Sequence, residues 1–262
     1  MSEAANPYSP PRSNVRLPDQ PFSSGQLLAE PRAVSVGSGA QWFAQGWDLL
    51  KQDIGIWILM ILTVLGINIL LSFIPFIGSL ASSLLSCVFS GGLLLAARAR
   101  EQGKPVEFTM LFEGFKSKFA PLLGLGALCF ALGIVGGILI GVSVGFLAAA
   151  SIQGNDPAQL AAVFSSSYFG AIVLFGAVYF TLVFMLVWFA TPLVALNNVP
   201  VFKSLGMSFK ACGRNLLPLF LFGLIATVLI IVGALPIFLG LLVVLPLLFT
   251  TFYKSYQHIF LK

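Results

Sequence analysis

Charge is what this sequence has least of. Only 9% of its 262 residues are Asp, Glu, Lys or Arg, against about 25% in soluble domains. With 58% hydrophobic residues and a mean hydropathy of +0.99, most of the chain has to be solvated by lipid. Histidine is reduced to His258 and cysteine to Cys87, Cys129 and Cys212. These are far apart and lack metal-ligand spacing, so no metal, cofactor or disulfide framework is expected. The cysteines read as small packing residues. There is no P-loop, no HExxH and no GxSxG. Glu101, Glu107 and Glu113 share one loop with five basic residues and read as a charge-balanced, solvated segment. No catalytic residue and no enzymatic activity are expected. The Pro-rich start lacks the apolar region and small-residue cleavage site of a secretory signal.

What is present is a series of apolar runs. A membrane span needs about 20 residues, and six runs qualify: 54–74, 78–97, 121–150, 170–196, 216–234 and 236–252. The first pair is split by "PFIG" and the last by "GALP", short apolar turns that predict tight helical hairpins. None of the six runs contains Asp, Glu, Lys, Arg or His. That argues against proton coupling, which needs ionisable groups at membrane depth.

The basic residues fix a direction. Arg12, Arg16, Arg32 and Lys51 precede the first run. Arg98, Arg100, Lys104, Lys116 and Lys118 follow the second. Lys203, Lys210 and Arg214 follow the fourth, and Lys254 and Lys262 follow the sixth. All fourteen therefore fall on one side, and the positive-inside rule places both termini in the cytoplasm. The net charge of +5 is then a topology signal, and nucleic-acid binding is not expected. Residues 1–36, rich in Pro, Ser, Asn and Gly, predict a disordered tail; 37–262 is the membrane domain.

The chain reads as three copies of one unit. Phe43, Gly46, Trp47 and Leu50 recur at helical spacing just before the first span, with Gln41, Gln45, Asp48 and Lys51 on the other face. Phe108, Leu111, Phe112 and Phe115 do the same before the third, and Phe202, Leu205, Gly206 and Phe209 before the fifth. Such helices lie in the membrane interface, with Trp42, Trp47, Phe112, Phe115 and Phe209 as anchors. Pro121 and Pro218 sit near span starts, where a missing N–H costs little. The second helix of each unit carries a helix weakener at an aligned place, Gly92, Pro192 and Pro246, predicting kinks. Three parallel repeats, about 40–106, 107–200 and 201–262, follow, related by rotation about the membrane normal. The loop between the third and fourth spans holds "NDPAQLAAVF", a helix start with Asp156 as cap and Gln159 at the capping-box position.

Two stripes of small residues predict close helix packing. Gly133, Gly137, Gly141 and Gly145 recur every fourth residue in the third span, and Ser79, Ser83, Cys87 and Gly91 in the second. The partner is either the neighbouring span or a second copy. Beside them Ser82, Ser86 and Ser90, with Asn68, form a candidate polar path, although such hydroxyls commonly bond their own helix carbonyls. Lys116, Lys118, Lys203, Lys210 and Arg214 sit where anionic lipid headgroups would be met.

The stretch "VSVGSGAQWFAQGWDLLKQDIGIWI", with Gly39, Trp42, Gly46 and Trp47, resembles the start of a family of uncharacterised six-span proteobacterial inner-membrane proteins. The "GFK" and "SFK" copies also resemble the membrane domain that accompanies some glycerophosphodiester phosphodiesterases; with no phosphodiesterase domain here, that activity does not carry over. The resemblance implies a multi-pass bacterial inner-membrane protein. The helix-plus-hairpin plan is similar to mitochondrial carriers, but their Pro-x-acidic-x-x-basic motif is absent. The expected protein is therefore an all-α, six-span, non-enzymatic scaffold or membrane organiser that engages lipids, a second copy or a membrane-protein partner. The rival is a passive transporter or channel for a small solute or lipid.

Overall fold

The computed structural model describes residues 25–151 and 157–262. Residues 1–24 of the expected disordered tail and the expected cap Asp156 lie outside the described residues. Among the described residues the fold is all-helical. In order it comprises α1 (Ser38–Leu50), α2 (Ile54–Ser72), α3 (Ile77–Glu101), a 3-10 turn (Phe108–Phe112), α4 (Glu113–Ser117) and α5 (Phe119–Ser151). There follow α6 (Pro157–Ser165), α7 (Ser167–Val187), α8 (Ala190–Asn197), α9 (Val201–Arg214), α10 (Leu216–Ala234) and α11 (Leu241–Phe260). Helix α6 occupies the loop where a short helix was expected.

Among the described residues five helical stretches are long and apolar enough to cross a membrane: α2, α3, α5, α7 with α8, and α10. The sixth run departs from expectation. Residues 236–240 do not start a helix; Ile237 and Phe238 adopt left-handed φ angles of 50° and 61° and carry the turn. Helix α11 begins at Leu241, so its apolar part ends after 252, roughly 18 Å at 1.5 Å per residue. From Tyr253 to Phe260 every residue of α11 is buried, including Lys254, Gln257 and His258.

Packing is dense at the end that carries the basic residues. Trp42, Trp57, Phe189, Tyr253, Tyr256 and Phe260 are all fully buried or nearly so and belong to one apolar cluster. Rings this large supply more buried apolar area than any other side chain. Phe189 stacks on Phe252 at 5.9 Å and meets Phe260 edge-on at 5.4 Å. At the opposite end the hairpin tips stand free: Phe76 is 89% exposed and Ile237 85%.

The leading helices close a ring. Helix α1 packs on α11, the 3-10 turn and α4 pack on α3, and α9 packs on α7 and α8. Each therefore seats on the second helix of the preceding hairpin, and α1 closes onto α11, the second helix of the last. Close approach explains the residues used. A Cβ on Gly92 would stand 2.1 Å from the Leu111 carbonyl oxygen, and one on Gly46 would stand 2.6 Å from Thr251 Oγ1. The marked positions Gly92 and Pro246 are thus not breaks: α3 and α11 run through them unbroken.

Two expectations need correction here. Trp42 is not a headgroup anchor. It is fully buried, its indole Nε1 donates to His258 Nδ1 at 3.1 Å, and the packed face of α1 is Ser38, Gly39, Trp42, Gly46, Leu49 and Leu50. Small residues on that face let α1 and α11 approach, and this outweighs the aromatic face as a packing signal. Trp47, on the other face, is 43% exposed. Secondly, the stretch 25–36, expected to belong to a disordered tail, is docked. The last turn of α11 has carbonyls without helical partners, and this stretch satisfies them. Leu28 N donates to Phe260 O at 2.8 Å and Arg32 N to Ile259 O at 3.0 Å, and the Arg32 guanidinium donates to Leu261 O. Asn215 clamps the same strand, accepting from Val34 N at 2.8 Å and donating to Arg32 O at 3.0 Å.

Candidate functional site: a cavity at an open seam

A ring of three hairpins has three seams where the second helix of one meets the first helix of the next. Two are closed: α3 packs along α5, and α11 along α2. In the α3–α5 seam, a Cβ on Gly126 would meet Leu84 Cα at 2.8 Å and Ser83 O at 2.9 Å, and Gly91 receives the end of Leu122. The third seam, between α7 and α10, has no comparable packing. In its place is a cavity of about 880 Å³, inside the size range of small-molecule pockets, about 300–1,000 Å³.

A kink sits at the base of this cavity. Pro192 has no N–H, and its ring crowds the carbonyl of residue 188, so the helix breaks between Val187 and Ala190. Ser208 on α9 repairs the gap. Its hydroxyl accepts from Phe189 N at 2.9 Å and donates to Met185 O at 2.8 Å, standing in for the ladder bond between those two groups. Trp188, at the break, lines the cavity. Its ring meets Phe222 on α10 at 6.0 Å and Phe252 on α11 at 5.1 Å. The remaining walls are Phe, Val, Leu, Ile, Gly223 and Ala226, with Ser90, Cys129 and Thr191 among them. A second, smaller cavity of about 530 Å³ lies between the outer halves of α5 and α7, against Phe146 and Tyr168.

Ionisable side chains pair outside this region. Arg100 Nε stands 3.2 Å from Asp53, Lys254 is paired with Glu101, and Arg98 donates to Leu196 O at 2.8 Å. Arg214 binds Glu30 at 2.7 Å and Pro31 O at 2.8 Å. That guanidinium, with Lys210 at 4.0 Å, holds the Glu30 carboxyl below its ordinary value of 4.5. Burial pushes the Cys212 thiol up to about 12, which keeps it protonated and unreactive. Among the described residues no group of three or more His, Cys, Asp or Glu could hold a metal ion.

The residues singled out in the sequence are distributed as follows. Asn68 donates to Val64 O of its own helix at 2.8 Å; Ser86 bonds Ser83 O and Ser79 bonds Phe76 O. Ser83 reaches across to Gly126 O at 3.4 Å. Of the candidate polar path only Ser90 lines the main cavity. Gly91, Cys87 and Ser83 lie along the α3–α5 seam, but Gly133, Gly137, Gly141 and Gly145 do not join it: nothing lies within 4 Å of where their Cβ atoms would be. The helix instead uses Gly126 against α3, and Gly136 against Tyr179 and Phe180 of α7. Of the candidate headgroup contacts, Lys116 pairs with Glu113 at 2.8 Å, Lys118 with Asn198, and Lys210 and Arg214 with Glu30. Phe112 and Phe115 join Phe89 in an aromatic cluster, while Phe202 is 82% and Phe209 39% exposed on α9. The cavity itself was not anticipated. Its one sequence signal is Pro192 within an apolar run, which marks the kink.

Comparison with known proteins agrees with a membrane protein. The chain is 32% identical over 197 residues to a probable inner membrane protein of Burkholderia thailandensis, over 70% of this chain and 69% of that protein. It belongs to that protein's family. No family model and no solved structure matches it. This family member is thus a multi-pass membrane protein whose helices are long and apolar enough to span. The comparisons give no support to the likeness with glycerophosphodiester phosphodiesterases.

Proposed function

We propose that this protein is a non-enzymatic organiser of the bacterial inner membrane, crossing it six times with both termini in the cytoplasm. The sixth crossing is α11, whose apolar half enters the bilayer while its buried polar half belongs to the cytoplasmic layer. The three hairpins with their leading helices are copies of one unit arranged around the membrane normal. The observation that carries the reading is the ring of docked leading helices. It makes a rigid platform at the basic end and turns Phe202, Lys203, Phe209 and Lys210 of α9 away from the protein. Aromatic rings beside lysines at this level suit an anionic lipid surface, each lysine contributing about 1 kcal/mol. The hydroxyls proposed for a polar path bond mainly to their own helix, which favours an organiser over a hydroxyl-lined transporter.

Two measurements test this. Full-length protein purified in mild detergent from phosphatidylglycerol-containing membranes should retain that lipid, and Lys203→Gln with Lys210→Gln should lower retention about threefold. Equal retention would count against the lipid-facing platform. In proteoliposomes, solute flux should equal that of empty vesicles; flux abolished by Ser82→Ala, Ser83→Ala and Ser86→Ala would overturn the organiser in favour of a transporter. For topology, cysteines placed at Lys118 or Lys210 should resist impermeant maleimide in intact cells.

A further inference from the structure

We propose that the open seam between α7 and α10 is a binding site for one acyl chain of a membrane phospholipid, which enters sideways from the bilayer. The organiser reading does not require such a site. Three observations converge on it. First, in the α3–α5 seam the equivalent space is closed by protein, with the Leu122 side chain on Gly91 and the α3 backbone at Ser83 and Leu84 against Gly126; at α7–α10 it is left as a cavity of about 880 Å³. Protein interiors are close-packed, and voids of this size do not persist empty. Secondly, water cannot fill it. A buried water needs two to four polar partners, and apart from Ser90, Thr191, the Cys129 thiol and the unpartnered Trp188 indole N–H the walls are hydrocarbon, too few polar groups to hold water throughout so large a volume. Thirdly, the medium outside the seam is hydrocarbon. Both flanking helices are of spanning length and composition, and their outward residues, Phe175 and Val178 on α7 and Leu224 and Val228 on α10, are about half exposed.

The length of the site favours an acyl chain over a compact ligand. On α10 the lining runs from Leu219 to Ile230, roughly 16 Å along the axis. That is about half of the ~30 Å hydrocarbon thickness, the reach of one chain in one leaflet. The end near Leu219 lies one turn from Asn215, where α9 meets α10 at the basic end. The chain would therefore belong to a lipid of that leaflet.

Gly223 allows a direct test. It lines the cavity, and nothing lies within 4 Å of where its Cβ would be, so Gly223→Phe fills the site without a clash in the backbone. Gly66 on α2 is equally open and remote from the cavity; Gly66→Phe is the control. The full chain is placed in nanodiscs containing phosphatidylethanolamine with a photoreactive acyl chain, and adducts are mapped by mass spectrometry. Adducts should favour Phe184 and Phe222 over the outward Leu224 and Val228. Gly223→Phe should lower the cavity adducts about tenfold, a change of roughly 1.4 kcal/mol, and Gly66→Phe should leave them unchanged. Equal labelling of cavity and outward residues, or cavity adducts that survive Gly223→Phe, overturns the proposal. So does preferential labelling there by a photoreactive isoprenoid quinone. If Gly223→Phe does not fold, native mass spectrometry of the unaltered protein decides: one phospholipid retained through delipidation upholds the site, and none sinks it.

Discussion

The α3–α5 seam and the α7–α10 seam occupy equivalent places in the ring, yet one is sealed by interlocked side chains and the other encloses a cavity. The difference begins in sequence. On the sealed side Gly91 and Gly126 remove the two Cβ atoms that would hold the helices apart; the Leu122 side chain takes the space at Gly91, and the α3 backbone at Ser83 and Leu84 comes directly against Gly126. Across the open seam α7 presents Phe180 and Phe184, the break after it presents Trp188, and α10 presents Phe222, all large aromatic side chains. Where no hydrophobic force drives helices together in lipid, small residues allow contact and large ones prevent it. Two seams between successive hairpins thus differ in the volume of the residues that face each other across them.

That contrast can be broken most severely through the ring that supports both seams. Trp42→Ala removes a fully buried indole and its bond to His258, and should lower unfolding stability in detergent micelles by about 3–5 kcal/mol. Trp47→Ala, on the exposed face of the same helix, should cost under about 0.5 kcal/mol. Equal losses would mean that α1 is seated differently. Next in size is a matched pair across the two seams. Gly126→Leu forces a side chain into backbone 2.8 Å away and should cost about 1–3 kcal/mol. Gly223→Leu enters open space and, by replacing a helical glycine, should be neutral or stabilising. A melting temperature lowered equally by both would remove the distinction between the seams. The smallest effect concerns the docked stretch 25–36. Glu30 has a lowered pKa in the folded protein because of Arg214, so its carboxylate supports docking above the ordinary glutamate value. That support is lost as pH falls through the lowered one. Hydrogen exchange at Leu28 and Arg32 should quicken over that acid range, and Glu30→Gln should make the amides insensitive to it.

How much of this was legible beforehand depends on which force placed each residue. Burial in lipid leaves a strong mark, so the apolar helices α2, α3, α5, α7 and α10 could be read from composition. Contacts between helices leave a weaker one. The row Phe43, Gly46, Trp47 and Leu50 suggested a membrane anchor, while in the fold Gly46 and Leu50 pack inside with Gly39 and Trp42 and Trp47 stays exposed. The glycine row Gly133, Gly137, Gly141 and Gly145 had the right spacing for an interface, but among the described residues nothing lies within 4 Å of where their Cβ atoms would be, because spacing defines a stripe and not what lies opposite. Docking of 25–36 onto the end of α11 had no apolar pattern to announce it; it rests on unpaired carbonyls that exist only once the helix ends there.

Helix α5 has 33 residues and α10 has 19, roughly 50 Å against 28 Å at 1.5 Å per residue. A hydrocarbon slab about 30 Å deep matches the shorter rod and not the longer. The long rod must either lean or rise clear of the far surface, and its partner α7, tied to it through Tyr179 and Leu132, goes with it. Slab depth is thereby translated into the slant of one hairpin against its neighbour, and α7 meets that neighbour, α10, along the one boundary that no interlocking side chains hold shut.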